Sequence, residues 1–158
     1  MINRNEFRAA LGRFASGVTV ITTVDKNGHR HGITVSAFCS VSLTPPLILI
    51  CIEKTTGSHH AFVQNEFFAV NILRAGQQYL SDRFAAHLDD KFDGIEFYET
   101  ERGIPVLKDV LVNLECRRVN AYDNGDHTIY VAAVERARLA DGEPLVYFQG
   151  NYRQLETA

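Results

Sequence analysis

Cysteine is scarce in this sequence, and its spacing excludes two common kinds of site. The three cysteines, Cys39, Cys51 and Cys116, include no C-x-x-C pair, so neither a zinc ribbon nor a redox dithiol fits. Each lies inside an apolar run, which predicts buried, reduced thiols that pack as small hydrophobes; a reactive Cys39 is the alternative. No disulfide or metal is needed for stability, because a chain of 158 residues buries roughly 70% of the surface that its unfolded form exposes.

Long runs of like charge or of apolar residues are also missing. There are 16 Lys and Arg residues against 19 Asp and Glu, a net charge of −3. No basic run has the length of a nucleic-acid or membrane patch, so we expect neither partner. The longest apolar stretch, residues 45–52, is far short of the ~20 residues that cross a membrane. Residues 1–6 lack the apolar region of a secretory signal, and we therefore expect a cytoplasmic protein.

The motifs that define several catalytic classes are absent. The sequence has no G-x-G-x-x-G, which excludes a Rossmann domain, no G-x-S-x-G and no Walker loop. It has no H-E-x-x-H or H-x-E motif. His29 and His31 flank a hairpin turn, and the adjacent His59 and His60 are poorly placed to ligate one metal together. We therefore expect no metal site, and any nicotinamide must bind outside a Rossmann domain.

The sequence is instead rich in short β-type segments. Residues 18–24 are β-branched throughout and lead to Asn27-Gly28, a hairpin turn. The remaining strand patterns lie at residues 33–43, 47–53, 67–73, 111–122, 128–139 and 145–148. Strands of this length joined mostly by hairpins favour a closed antiparallel barrel.

Three helices are predicted around these strands. Asn3 and Glu6 form a capping-box pattern ahead of an amphipathic helix that ends near Gly17. Residues 58–65 and 77–86 have helical patterns as well. No repeat, low-complexity segment or linker interrupts the chain, so residues 1–158 are predicted to form a single, mainly β domain.

The segment from Thr34 to Leu43 has two distinct faces. Its odd positions, from Val35 to Leu43, are all apolar and predict a core face with period two. Its even positions carry small hydroxyls around Phe38, where a solvent-facing strand more usually carries charged side chains. Short hydroxyl side chains let a flat ligand approach the backbone closely. The alternative is a plain half-buried strand.

Two turns offer further polar groups. Lys54-Thr55-Thr56-Gly57-Ser58 precedes the second predicted helix, and a cation, hydroxyls and the N–H groups of a helix N-terminus suit a phosphate. An ordinary N-cap and turn is the alternative. Residues 123–126 form an Asn-Gly turn that delivers His127 to the start of a strand. That histidine is either a surface residue or a donor in a pocket.

Together, these segments resemble the flavin reductase-like family. Its members are small NAD(P)H:flavin oxidoreductase components of two-component flavin monooxygenases, such as those that hydroxylate phenols or 4-hydroxyphenylacetate. The matching stretches fall in family order and cover almost the whole chain: residues 14–23, 32–43 with 45–47, 68–73, 125–130 and 145–152. The combination of the Ser-Ala-Phe-x-Ser-Val-Ser-Leu strand with the Gly-Asp-His turn is specific. One departure is Ala133, near which many relatives have a glycine.

The resemblance implies a split barrel of the FMN-binding type and a homodimer with flavin sites near the subunit interface. The cofactor-binding residues that it implies are Gly32, Thr34, Val35, Ser36, Ala37, Phe38, Ser40, Val41, Lys54, Thr55, Thr56, Ser58, His60, Phe84 and Ala85. Residues 34–38 would lie along the isoalloxazine, residues 40–41 toward the ribityl chain, and residues 54–58 with His60 at the phosphate. His127 is the implied catalytic residue and faces the nicotinamide, whose groove is walled by Tyr147, Gly150, Asn151 and Tyr152.

The implied activity is reduction of free FMN or FAD by NADH or NADPH. Reduced flavin would then pass transiently to a partner monooxygenase. The phosphate segment fits FMN and FAD alike. The alternatives are a flavin-binding carrier or sensor without turnover, which needs no nicotinamide groove, and a pyridoxamine-phosphate type oxidase, which would carry more basic residues than Lys54 near the phosphate. A purely structural protein is the remaining alternative.

Overall fold

Residues 1–156 are described by this computed structural model, and they contain three helices and twelve strands. The helices are α1 (Arg4–Leu11), α2 (His59–Gln64) and α3 (Gln78–Ala85). The strands are β1 (Ser16–Gly17), β2 (Thr19–Val24), β3 (Arg30–Val35), β4 (Phe38–Leu43), β5 (Pro46–Glu53), β6 (Phe67–Ile72), β7 (Phe97–Glu99), β8 (Pro105–Leu107), β9 (Val112–Asn124), β10 (His127–Leu139), β11 (Val146–Phe148) and β12 (Asn151–Arg153).

Seven strands form one antiparallel sheet in the order β3-β2-β6-β9-β10-β5-β4. Its two edge strands, β3 and β4, are consecutive in the chain and are separated only by Ser36 and Ala37. The sheet must therefore curl until its opposite edges meet. The Phe38 N–H donates to the Ser36 carbonyl (2.9 Å), so the link makes a tight bend, and no ladder pairs β3 with β4 in this sheet. We call this unpaired junction the seam. The closed barrel predicted from the strand pattern is wrong, and the split barrel is confirmed.

The curled sheet encloses the main core. Alternate residues of β5 and β10 are buried, as the period-two rule requires, and they meet apolar side chains of β2 and β6. The largest members of this cluster include Ile21, Ile50, Ile52, Phe62, Val70 and Tyr130. A second cluster packs α3 against the outside of the sheet through Leu80 and Phe84. The helix next to the seam is thus fixed by apolar burial.

A buried amide connects four strands at the centre of the fold. The Asn71 Nδ2 donates to the Val20 carbonyl (2.8 Å) and to Thr22 Oγ1 (3.1 Å). Its Oδ1 accepts from the Leu107 N–H (3.0 Å) and from Asn113 Nδ2 (2.9 Å). These four bonds use both donors and both acceptor positions of the Asn71 amide. The amide therefore connects β2, β6, β8 and β9 and has no unpaired polar group in the core.

The predicted elements are largely confirmed, with two differences of extent. The capping box at Asn3 and Glu6 is present, but α1 ends at Leu11 rather than near Gly17. The predicted strand at residues 33–43 is two strands separated by the bend at Ser36 and Ala37. The β7–β8 hairpin and the short sheet of β1, β11 and β12 include strands that the sequence pattern did not predict.

The predicted core face of residues 35–43 is wrong beyond Val35. Cys39, Val41 and Leu43 are exposed, Leu43 by 94%, because β4 is an edge strand with a bulge between Ser40 and Ser42. The prediction of three buried thiols is likewise wrong for Cys39 and correct for Cys116, where burial raises the thiol pKa to about 12. An exposed apolar edge strand is unusual in a chain that acts alone.

The helices of residues 1–156 give no candidate for a membrane span, since none combines the necessary length with apolar character.

Replacing Asn71 with alanine should lower the free energy of unfolding by about 3 kcal/mol. The buried Leu107 N–H would lose its acceptor, and the missing side chain would leave a cavity. Urea unfolding monitored by far-UV circular dichroism measures the change. The matched control is Asn120→Ala on the exposed face of β9, which should change stability by less than ~0.5 kcal/mol. Equal effects of the two substitutions would contradict the role assigned to Asn71.

Candidate active site

The seam is the structural centre of the predicted flavin site. Residues 34–38 cross it: Thr34 and Val35 end β3, Ser36 and Ala37 form the bend, and Phe38 begins β4. The Ser36 and Ala37 side chains are exposed, while Phe38 packs against the main core. A strand edge presents backbone N–H and C=O groups that no neighbouring strand occupies. The carbonyls of Ser36 and Ala37 already accept from the N–H groups of Phe38 (2.9 Å) and Cys51 (3.1 Å), so a flat polar ligand at the seam would be held mainly by the remaining groups of the bend.

A cavity opens beside the seam and reaches the predicted nicotinamide wall. It has a volume of about 230 Å³ and is lined by Phe7, Arg8, Leu11, Gly12, Phe14, Ser16, Ser36 and Tyr147. Ser36 was predicted to contact flavin and Tyr147 to contact the nicotinamide, so the structure brings these two groups together. The apolar side of α1 forms the outer wall, and its C-terminal end is tied to this region because the Gln149 N–H donates to the Gly12 carbonyl (2.8 Å).

A hydrogen-bond network joins the seam to Tyr152. The Thr34 hydroxyl donates to the Ser81 carbonyl (2.6 Å). The Tyr152 hydroxyl lies 2.9 Å from Ser81 Oγ and donates to Asp82 Oδ1 at 2.6 Å. Burial and the bond to Asp82 raise the pKa of Tyr152, which keeps its proton in place. The helix α3 thus fixes Thr34 and Tyr152 relative to each other.

The predicted wall residues share one short hairpin. Tyr147 and Tyr152 are paired across β11 and β12, with ring centroids 5.5 Å apart in an edge-to-face arrangement. Gly150 lies in the turn with φ +77, which only glycine adopts without strain. The Asn151 amide donates to the Gln149 carbonyl (3.0 Å). The hairpin therefore presents two aromatic rings of fixed orientation beside the cavity.

Gly32, Ser58 and Phe84 meet on the other side of the predicted flavin site. A Cβ on Gly32 would lie 2.5 Å from two atoms of the Phe84 ring, so only glycine fits there. The Gly32 carbonyl accepts from the Ser58 hydroxyl (3.3 Å) and from Lys91 Nζ (3.1 Å). Ala85 is exposed at the end of α3. Three residues that the resemblance assigned to the cofactor are thus in mutual contact.

Lys91 is a site residue that the sequence analysis missed. Its ammonium also donates to the Phe84 carbonyl (2.8 Å), and burial lowers its pKa. It lies in a loop after α3 without a recognisable motif around it. Only the tertiary contact with the carbonyls of β3 and α3 identifies it, and no signal in the sequence could have done so. Ser81 and Asp82 were missed for the same reason.

In the predicted phosphate segment, residues 54–58, most side-chain donors already make hydrogen bonds within the chain. Thr55 Oγ1 donates to the Glu53 carboxylate (2.9 Å), and Thr56 Oγ1 donates to the Glu53 carbonyl (2.9 Å). Lys54 Nζ donates to the Gly125 carbonyl (3.2 Å) and lies 3.8 Å from Asp123 Oδ1. Ser58 is the N-cap residue of α2, but its side chain makes no hydrogen bond to that helix. To bind here, a phosphate would have to replace these hydrogen bonds and the Lys54–Asp123 ion pair, and exposed contacts of this kind contribute little free energy.

His127 lies at the start of β10, next to the predicted phosphate segment. It is paired with Glu53 and Asn124 at the start of β10, and its Nδ1 lies 2.7 Å from Asp126 Oδ1. This contact holds the pKa of Asp126 below its ordinary value. Within residues 1–156, neither a hydrogen bond nor an aromatic contact joins His127 to Tyr147 or Tyr152. Any joint action of His127 and the two tyrosines would therefore be through a bound nicotinamide and not through direct contact.

The remaining predicted residues lie on or near the edge strand. Ser40 and Val41 are exposed on β4, and Val41 stands in the bulge. The His60 ring packs edge to face on His31, with centroids 4.7 Å apart, rather than on the phosphate segment.

The structure also groups three residues that the sequence analysis did not connect. Asp25, His31 and His60 place one donor atom each within 4.8 Å of one another. Burial raises the pKa of Asp25, but hydrogen bonds from the backbone N–H groups of His29 and Asn27 and from two imidazoles outweigh it, so its pKa lies well below the ordinary value. The expectation that no metal site exists rested on motif spacing, which does not report contacts between distant segments.

The open, curled sheet is a split barrel, and the comparisons with known proteins agree with that class of fold. The flavin reductase like domain matches residues 11–156, so the chain belongs to that family.

Two similar proteins and one solved structure extend this result. An FMN reductase (NADH) from Agrobacterium fabrum is 43% identical over 150 residues, which cover 95% of this chain and 85% of that protein. The reductase component of a 4-nitrophenol 4-monooxygenase/4-nitrocatechol 2-monooxygenase from Rhodococcus opacus is 37% identical over 151 residues, 96% of this chain and 80% of that protein. The NADH:FAD oxidoreductase of Streptomyces globisporus, solved with NAD and FAD fragments, superimposes with a TM-score of 0.92 at 35% identity, covering 98% of this chain and 93% of that one.

Proposed function

We propose that this chain is an NADH-dependent flavin reductase that oxidises NADH and reduces free FMN or FAD. The observation that carries the proposal is the seam, where residues 34–38 cross between the two unpaired sheet edges beside the cavity that Ser36 shares with Tyr147. The similar FMN reductase and the NADH:FAD oxidoreductase support NADH as the donor and both flavins as acceptors. A cytoplasmic location, where NADH is supplied, is part of the proposal.

The chain's contribution is binding and orientation. Hydride transfer between the nicotinamide and the flavin is chemistry that the two ring systems supply. The seam would hold the flavin ring by its polar edge through Ser36 and Ala37, and Phe38 anchors the bend in the core. The Thr34–Ser81–Tyr152 network sets the distance between the seam and the tyrosine hairpin. Two rings held in this way react as if in one molecule, which removes much of the entropic barrier.

The phosphate end of the flavin would lie at residues 54–58. Lys54 provides the cation, and the exposed Thr55 hydroxyl is the donor that turns most readily from Glu53 toward a ligand. Ser58 and Gly32 form the inner boundary, because the Gly32–Phe84 contact closes the space behind them. This arrangement binds a phosphate with modest affinity, since each new contact replaces one within the chain. Modest affinity suits a reductase that releases its flavin.

The released flavin would pass to a partner oxygenase. The similar protein from Rhodococcus opacus is a reductase component of a monooxygenase, and we propose the same role here. Residues 34–38, which form the seam, include neither a carboxylate nor a histidine, which fits a reaction whose bond changes occur in the cofactors.

Steady-state oxidation of NADH and NADPH with FMN, FAD or no added flavin tests the proposed activity. We expect a rate that rises and saturates with added flavin and that is higher with NADH than with NADPH. The saturating curves identify the preferred flavin. Oxidation without added flavin would show a retained flavin instead. Flavin binding without oxidation of either nicotinamide would contradict the reductase and favour a carrier or sensor.

His127→Ala should lower kcat/KM for NADH roughly tenfold, the loss expected for one hydrogen bond to a polar ligand group. Flavin binding, followed by fluorescence titration, should stay unchanged, because the His127 side chain bonds to Asp126 and not to the seam residues. His29→Ala is the matched control, since His29 is an exposed histidine in another hairpin turn. Unchanged kinetics in His127→Ala would remove His127 from the site.

We also propose that the chain forms a homodimer through the exposed side of β4. Cys39, Val41 and Leu43 form an apolar strip there, and it continues directly into the seam at Ala37. A second copy on this strip would cover the edge strand and border the flavin site.

Light scattering after size exclusion tests the dimer. We expect twice the chain mass of 17.7 kDa for the parent protein and the single chain mass for Leu43→Glu, because a buried unpaired carboxylate costs several kcal/mol. Leu155→Glu, on an exposed leucine outside the strip, is the matched control and should remain dimeric. A parent monomer, or an unaffected Leu43→Glu dimer, would contradict this interface.

A further inference from the structure

We propose that Asp25, His31 and His60 form a binding site for a divalent transition metal of the zinc class. Asp25 follows β2, His31 lies on β3 and His60 lies in α2. One carboxylate oxygen and one imidazole nitrogen from each histidine lie within 4.8 Å of one another. Three such donors on separate, regularly folded elements form a site only in the folded chain.

One pair of the three donors has the spacing of a metal centre. Asp25 Oδ2 lies 3.4 Å from His31 Nε2. Ligands at 2.0–2.2 Å from a tetrahedral zinc stand about 3.4 Å apart, so these two atoms already have the separation that a bound ion requires. The His31 and His60 rings are nearly perpendicular, at 88°, so both can direct an edge nitrogen toward one point without stacking on each other.

The carboxylate is held in a ligating orientation by the hairpin. Asp25 Oδ1 accepts the backbone N–H groups of Asn27 (2.8 Å) and His29 (3.0 Å). Its Oδ2 is thereby directed at the imidazoles of His31 (3.4 Å) and His29 (3.2 Å). Such outer contacts fix the ligand atom in protein metal sites. The Asp25 side chain is 7% exposed, so little ordering remains to be done when an ion binds.

The surroundings leave room for additional ligands. Asp25 and His31 line a cavity of about 510 Å³ that extends past Gly32 and Ser58. Burial decreases from Asp25 through His31 to the exposed His60, so an ion would be held from the protein side and open toward the cavity. Water can complete the coordination there, as in three-ligand zinc sites.

The donor set selects the metal. Two imidazoles and one carboxylate suit Zn²⁺, Ni²⁺, Cu²⁺ and Fe²⁺, whereas Mg²⁺ and Ca²⁺ prefer six or more oxygens. Asp25 Oδ2 lies 3.4 Å from the His31 imidazole and 3.2 Å from that of His29, which is outside the donor set, and both distances are long for hydrogen bonds to a charged group. An ion between the donors would replace weak contacts with coordinate bonds. The site shares His60 with the residues that the resemblance assigns to the cofactor, but its test measures metal binding and does not rest on the proposed reductase activity.

Isothermal titration of the untagged, chelator-treated protein with ZnCl₂ tests the site. We expect one Zn²⁺ per chain and at least a tenfold loss of affinity in each of Asp25→Asn, His31→Gln and His60→Gln. MgCl₂ should give no binding. The matched control is His87→Gln, an exposed histidine that lines the same cavity without belonging to the three-donor group, and it should bind Zn²⁺ as the parent does.

Far-UV circular dichroism and the Tm of each metal-free variant show whether it is folded. A substitution of Asp25 or His31 in the β2–β3 hairpin could unfold the chain. His60→Gln is at an exposed position of α2, so this variant still tests the site in that case. Visible absorption of the Co²⁺-loaded protein reports inner-sphere coordination by nitrogen. Absence of Zn²⁺ binding by the parent protein would overturn the proposal. So would binding that persists in His60→Gln or that is lost equally in His87→Gln.

Discussion

Two residues, Ser36 and Ala37, connect the opposite edges of a seven-stranded sheet, and most of the architecture depends on that short link. Because β3 and β4 must meet, the sheet curls around a single apolar core. Because the link bends the chain without pairing the two edges, the barrel stays open along one line. The opening is a consequence of connectivity, and it places backbone hydrogen-bonding groups where a ligand can reach them.

The features around the seam are fixed by contacts of different kinds. Apolar burial holds α3 through Leu80 and Phe84. The hydroxyl and tyrosine network then positions Thr34 and Tyr152 against that helix. On the inner side, the close approach of Gly32 to the Phe84 ring leaves no space for any side chain. The site is therefore rigid where it orients a flavin and more adaptable at the exposed phosphate segment.

Local patterns predicted most of the elements because those elements depend on local chemistry. The capping box at Asn3 and the Asn-Gly turn at residues 27–28 each act through bonds within a few residues. The bend at Ser36 could not be predicted in this way, since it interrupts an unbroken alternation of apolar residues. The exposure of Val41 and Leu43 was not predictable for the same reason. Alternation of apolar and polar residues predicts that a strand has two different faces, but only the order of strands in the sheet shows which face packs against other residues.

The site was predictable only in part. The resemblance placed the flavin at residues 34–38 and the nicotinamide at the tyrosine hairpin, and the structure brings Ser36 and Tyr147 of these segments together in one cavity. Lys91 and Ser81 were not predictable, because their roles arise from tertiary contacts between α3, its following loop and β3. The group of Asp25, His31 and His60 spans two hairpin strands and a helix, a combination without a fixed spacing in sequence.

The brevity of the link at Ser36 and Ala37 also bears on how this protein can vary over evolutionary time. Ligand sites usually lie on long surface loops that accept insertions freely, so new specificities arise by lengthening them. Here the segment nearest the proposed ligand is among the shortest connections in the chain, and an inserted residue would let the two sheet edges drift apart. Changes in ligand specificity are therefore expected in the walls of the cavity, which are α1 and the β11–β12 hairpin. The lengths of these two elements can change while the barrel keeps its shape.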